Sequence, residues 1–181
     1  MTMNLPNKLT LFRVILIPFF VVCMLVPTIP FHNIIAAVIF IVASFTDFLD
    51  GYLARRDGLV TNFGKFMDPL ADKLLVCSAL ICLIETGQLP AWVVVIIISR
   101  EFIISGFRLI ASDNGVVIAA SYWGKFKTVS QMLMVIVLIL NIPNVVFQTI
   151  GMVLIWVSVI LTVVSLVDYV VKNFDVLKDT K

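Results

Sequence analysis

Residues 14 to 46 contain no Asp, Glu, Lys or Arg, and residues 128 to 167 contain none either. Stretches of this kind constrain a chain more than any short motif does, because roughly 20 apolar residues already span a bilayer. In a chain of 181 residues, 61% are apolar and 13% charged, whereas a soluble domain is ~45–50% apolar even with glycine counted. A water-soluble monomer is excluded, since so short a chain has too little interior to hide the excess. Disorder is excluded by low charge and abundant Val, Ile and Leu, and a disulfide framework by three cysteines without paired spacing. The sequence reads as an all-α, polytopic integral membrane protein.

Breaks in the apolar runs divide it further. Pro27-Thr28-Ile29-Pro30 splits the first run, Glu85-Thr86-Gly87-Gln88-Leu89-Pro90 closes a middle one, and Asn141-Ile142-Pro143-Asn144 splits the last. Six spans result, near 9–27, 33–55, 69–86, 91–111, 123–140 and 145–171. The chain reads as one domain, 1–181, and its start lacks the pattern of a removable signal, so the first span is expected to be a retained anchor.

Six crossings put both termini on one side. That side receives Lys8, Arg13, Arg55, Arg56, Lys65, Lys73, Arg108, Lys125, Lys127, Lys172, Lys178 and Lys181, while the opposite loops receive no basic residue. The positive-inside rule then places both termini in the cytoplasm. Trp92 and Trp123 fall where interfacial belt residues are expected. Cys23, Cys77 and Cys82 lie in apolar runs and read as packing residues, and His32, on an outer loop, is given no role.

The informative residues are those a membrane normally excludes. Counted from the outer end of their spans, Asp47, Asp72 and Lys125 all lie roughly 20–22 Å down a core about 30 Å thick. Arg100 lies roughly 14 Å down, with Glu101 beside it as its counter-ion. Ionisable groups at such depths face a cavity or one another. Six helices enclosing a polar cavity open to the cytoplasm are therefore expected.

Asp47 and Asp50 are three apart and Asp68 and Asp72 four apart, spacings that put each pair on one helical face. Four converging carboxylates repel unless cations intervene. Oxygen-only ligation without a neighbouring His or Cys favours Mg²⁺ or Mn²⁺ over zinc, and four carboxylates balance two such ions. The competing reading is four interfacial aspartates paired with Arg55, Arg56 and Lys73. Gly51 and Ala54 leave room beside the second helix, and Gly64 is expected in a connecting loop, where an ordinary turn glycine is the plainer account.

From Asp47 to Asp72 the sequence reads DFLDGYLARRDGLVTNFGKFMDPLAD. It resembles the signature of the CDP-alcohol phosphotransferase family, D-x2-D-G-x2-A-R-x8-G-x3-D-x3-D, and meets all eight specified positions with Asp47, Asp50, Gly51, Ala54, Arg55, Gly64, Asp68 and Asp72. The resemblance implies transfer of a phosphatidyl or similar group from a CDP-linked donor to an alcohol, with release of CMP. It also implies two divalent cations on Asp47, Asp50, Asp68 and Asp72, with Asp72 doubling as the base. Gly51, Ala54, Arg55 and Gly64 would cradle the donor, and a homodimer in the cell membrane is expected, with no nucleic-acid partner.

Three further segments, PNKLTLFR at the start, SREFIISGFRLIA at 99–111 and GKFKTVSQ at 124–131, resemble the branch of that family that joins CDP-diacylglycerol to glycerol 3-phosphate. An acceptor that carries a phosphate needs cations, and Arg100, Arg108, Lys125 and Lys127 supply them. Lys127 equally suits a positive-inside anchor. Asn7, Thr10 and Arg13 have two readings: site residues, or a helix cap, a satisfied hydroxyl and a snorkelling arginine. Within the family the alternatives are cardiolipin, phosphatidylserine and phosphatidylinositol-phosphate synthesis. Outside it, a divalent-cation transporter also uses intramembrane carboxylates, but here the outer loops offer no acidic entry.

Overall fold

The computed structural model describes the backbone of residues 5–56, 62–113, 118 and 121–174, and the side chains of 7–46, 67, 70–112, 118 and 121–174. Six helices follow one another: α1 Leu5–Leu25, α2 His32–Arg56, α3 Asn62–Glu85, α4 Ala91–Asp113, α5 Tyr122–Leu140 and α6 Val145–Asn173. Among the described residues there is no strand.

Turn chemistry accounts for the connections after α3 and α5. α3 ends in a Schellman arrangement, with Gly87 N–H donating to the Ile84 carbonyl and Gln88 N–H to the Leu83 carbonyl, both at 2.9 Å. Gly87 takes the left-handed conformation this requires, φ 71°. Asn141, φ 43°, ends α5 in the same region, and Asn144 caps α6 by accepting from Val146 N–H at 2.8 Å.

Two boundaries differ from the hydropathy reading. α1 begins at Leu5 rather than 9, because Pro6 falls in a first turn that needs no intrahelical N–H. α3 begins at Asn62 rather than 69, so residue 64 is helical and the expected loop glycine is corrected. Apolar content marks where a helix enters lipid; the polar turns before it are just as helical.

Three helices are long and apolar enough to cross a membrane by length and composition among the described residues: Asn7–Leu25, Tyr122–Leu140 and Val145–Asn173. α2 adds a shorter apolar stretch, His32–Thr46. α3 and α4 carry Asp72, Lys73, Arg100, Glu101 and Arg108 within their length. This is an all-helical integral membrane protein.

The chain divides into two compact units, one of Met1–Gln88 with Leu138–Asn141, the other of Leu89–Val137 with Ile142–Lys181. In the first, α1 packs on both α2 and α3. Buried Ala36, Ala37 and Ala43 on α2 let α1 come close, and Phe20 and Phe40 meet with ring centroids 6.0 Å apart. The buried stripe of α1 is Asn7, Thr10, Arg13, Ile17, Phe20 and Met24, while Phe12, Ile15 and Phe19 face outward. Cys82 is buried here, and Cys23 and Cys77 are half-buried. Polar groups inside and apolar groups outside are what lipid as solvent selects.

In the second unit α4 and α6 run parallel. Trp92 meets Trp156 at 5.9 Å and Phe107 meets Tyr169 at 6.2 Å, which sets their register. Trp92 and Trp123 are both about half exposed. The face of α6 carrying Ser158, Thr162, Ser165 and Tyr169 is buried.

Candidate functional site

The acid pattern lies on two helices. α2 is helical through Arg56, so positions 47, 50, 51, 54 and 55 occupy its last turns, and α3 carries positions 64, 68 and 72 in its first turns. Unbroken helix through each pair preserves the spacings of three and four that place two acids on one face. The side chains of Asp47, Asp50, Gly51, Ala54, Arg55, Gly64 and Asp68 lie outside the described residues. Asp72 is exposed and Lys73 half-buried. The donor set is oxygen only, so it fits a hard divalent cation. Among the described residues no three His, Cys, Asp or Glu gather as a metal site.

One turn before Asp47, α1 is tied to α2. The Arg13 Nε–H donates to the Ala43 carbonyl at 3.1 Å, and the Thr46 hydroxyl donates to the same oxygen at 2.7 Å. Arg13 is fully buried, so it is not a side chain snorkelling to headgroups, and Thr10 is 1% exposed. Asn7 lies on the same buried stripe.

The second unit holds a basic cluster. Lys127 on α5 pairs with Glu101 on α4, and Arg100 Nη1 reaches the same carboxylate oxygen at 3.4 Å. Arg100 is also held from α6, its Nε–H donating to the Ser165 hydroxyl at 3.1 Å. The Arg100 and Lys127 side chains are 9% and 2% exposed, which rules Lys127 out as a surface anchor. Glu101 is thus the counter-ion of two cations, not of Arg100 alone. Two positive charges and one negative leave this trio at +1, and Arg108 adds another.

Arg108 lies on the exposed side of α4 with its guanidinium 6.0 Å from the Tyr169 ring centroid. Lys125 is not drawn into the cluster. It is exposed, with Nζ 5.3 Å from the Tyr122 ring centroid, because two positions along a helix turn it away from Lys127. Near the C-terminal end of α6, Asp168 accepts from the Ser121 hydroxyl at 2.7 Å and pairs with Lys172 at 2.6 Å.

Three residues of this cluster escape sequence reasoning. A Cβ on Gly124 would stand 3.3 Å from Arg100 Nη2, so the missing side chain makes room for the guanidinium. Ser165 and Tyr169 belong to a polar stripe, with Ser158 and Thr162, spaced four, three and four along a mainly apolar helix. That spacing is the signal that finds them.

An acid pattern on two helices of a membrane protein, with a basic cluster on other helices of the chain, suits an enzyme that handles phosphates in lipid. The profile of the CDP-alcohol phosphatidyltransferase family matches residues 3–164, and the chain belongs to that family. It is similar over nearly its whole length to proteins named CDP-diacylglycerol–glycerol-3-phosphate 3-phosphatidyltransferase. That of Bacillus subtilis (strain 168) is 47% identical, covering 97% of each chain. That of Haemophilus influenzae is 42% identical over 93% of this chain and 92% of its own, and that of Rickettsia bellii 36% identical over 92% and 93%.

Proposed function

We propose that this chain transfers the phosphatidyl group of CDP-diacylglycerol to glycerol 3-phosphate, giving phosphatidylglycerophosphate and CMP. The observation that carries this reading is the complete eight-position pattern from Asp47 to Asp72 in a chain whose relatives of that name match it from end to end. The net positive trio of Arg100, Glu101 and Lys127 supports an acceptor that carries its own phosphate.

Asp47, Asp50, Asp68 and Asp72 would hold two divalent cations, Mg²⁺ or Mn²⁺. Such ions, when bound, neutralise charge on attacking and leaving oxygens. Gly51, Ala54, Arg55 and Gly64 form the cradle for cytidine and pyrophosphate. Arg100, Arg108 and Lys127 bind the acceptor's phosphate, guanidinium in bidentate fashion and ammonium as a point charge, while Lys125, which faces away from Lys127, is left out of that pocket.

Asp72 takes the proton from the glycerol 3-phosphate hydroxyl. The oxygen so freed forms a bond to the lipid-side phosphorus, and the bond from that phosphorus to the bridging oxygen breaks, its electron pair leaving with CMP. A single displacement inverts the phosphorus; retention would contradict it. Arg13 supports the site from α1 by holding the backbone that leads into Asp47, and Asn7 and Thr10 line the same buried face.

In this reading residues 1–181 act as one domain, all six helices cross the cytoplasmic membrane, both termini are cytoplasmic, and the protein works as a homodimer. The site faces the cytoplasm, where the soluble acceptor is, while the donor's acyl chains stay in lipid. The one-sided Lys and Arg distribution supports that orientation.

The test is CMP release by the purified protein from CDP-diacylglycerol and Mg²⁺ with one alcohol at a time. Release dependent on glycerol 3-phosphate is expected. Release with serine, inositol phosphate or phosphatidylglycerol in its place overturns the acceptor assignment, and Mg²⁺ uptake into proteoliposomes without CMP release overturns the enzyme.

A further inference from the structure

Tyr169 is 3% exposed, and its hydroxyl has no hydrogen-bond partner among the described residues. A buried phenolic O–H almost always finds one, since leaving it unpaired in a water-free interior is costly. Its surroundings explain the ring and not the oxygen. Phe107 meets the ring edge-on, at 87° and 6.2 Å, and the Arg108 guanidinium stands 6.0 Å from the centroid. Phenylalanine would satisfy both contacts.

The charged neighbours of Tyr169 are cations. Ser165, one turn earlier on α6, receives Arg100 Nε–H at 3.1 Å, and Arg100 lies within electrostatic reach of both Arg108 and Tyr169. Neither guanidinium accepts a hydrogen bond. A phenol without an acceptor, on a ring that Arg108 approaches and within electrostatic reach of Arg100, is complementary to an oxyanion with several oxygens. Among the described residues Arg108 has no carboxylate partner, and Glu101 already serves Arg100 and Lys127.

We infer that the Tyr169 hydroxyl donates a hydrogen bond to the phosphate of the acceptor, beside Arg100 and Arg108, and so takes part in selecting a phosphorylated alcohol. Arg108, being exposed, is the open side through which that phosphate arrives. The Phe107 contact holds the ring in place, and the stripe Ser158–Thr162–Ser165–Tyr169 holds α6 in the matching rotation. This inference rests on the glycerol 3-phosphate reading above.

Tyr169→Phe keeps the ring and removes the donor. For the full-length protein in detergent, KM for glycerol 3-phosphate rises about 10- to 100-fold, the loss of one hydrogen bond to a charged group. KM for CDP-diacylglycerol and kcat stay within about twofold, as expected when only acceptor binding is weakened. Inorganic phosphate, used as a competitor, loses inhibition by the same factor as KM rises. An unchanged KM for glycerol 3-phosphate and an unchanged phosphate inhibition constant overturn the inference while leaving the wild-type reaction standing. A parallel drop in kcat with weaker binding of both substrates also overturns it, because that is the mark of a structural role. Wild-type protein that releases no CMP with glycerol 3-phosphate fails the underlying reading, and this inference falls with it.

Discussion

The Arg13 Nε–H donates to the carbonyl of Ala43 at 3.1 Å across the α1–α2 contact. In a continuous α-helix that carbonyl is also the acceptor for the N–H of residue 47, and the Thr46 hydroxyl reaches it at 2.7 Å. A fully buried guanidinium therefore fixes α1 against the turn from which the acid pattern begins.

Arg13→Lys keeps the charge and loses the planar fork that addresses a carbonyl from a fixed angle. Turnover should fall about 10- to 100-fold, as a small misplacement of catalytic groups does, while the protein still purifies as a folded species. CMP release and a thermal melt in detergent measure the two. Unchanged turnover would show that this contact does not position the acids.

Glu101 is the shared carboxylate of Arg100 and Lys127, whose side chains are 9% and 2% exposed. Glu101→Gln leaves two nearly buried cations without it, and breaking a buried pair costs about 3–5 kcal/mol. The melting temperature should fall clearly, and added inorganic phosphate should restore part of the loss by supplying the missing negative charge. An unaltered melt would contradict the cluster described for α4 and α5.

Gly124 and Gly106 make a matched pair. A methyl at 124 stands 3.3 Å from Arg100 Nη2, whereas at 106 nothing lies within 4 Å. The Arg100 guanidinium is tethered by Ser165 and Glu101 and gives way poorly. Gly124→Ala should raise KM for glycerol 3-phosphate several-fold, and Gly106→Ala should leave kinetics alone while stabilising the helix by up to about 1 kcal/mol. Equal effects at the two sites would contradict this account.

At Gly87, φ 71°, the constraint is conformational and concerns stability only. A methyl at this position would find nothing within 4 Å, so Gly87→Ala meets no clash and incurs only the left-handed backbone penalty, about 1–2 kcal/mol. A lower melting temperature with unchanged kcat is expected, read by thermal melt and steady-state assay.

The helix plan was legible because charge gaps and proline breaks are coarse features that lipid enforces. Pro27, Pro30, Pro90 and Pro143 all fall in connections between helices. The first turns of α1 and α3 were not legible, since hydropathy registers lipid contact and not helicity. The acid pattern could be read directly, as spacing on a helix is a local property. The basic cluster could be read only by type: Arg100 and Lys127 share Glu101, but Lys125 faces away, a consequence of two-residue spacing. The spacing of Ser165 and Tyr169 marks them as a stripe, but their partners on α4, and the role of Gly124, depend on which faces of α4, α5 and α6 meet, and that is tertiary information.

The proposed transfer depends on the carboxylates of α2 and α3. Asp72 tests it most directly, because its side chain is exposed and Asp72→Asn changes charge and basicity without emptying a core. CMP release from CDP-diacylglycerol with saturating glycerol 3-phosphate should fall by about 10²- to 10⁴-fold, the range for losing a general base, with the melting temperature unchanged. Undiminished turnover in that variant would contradict the account.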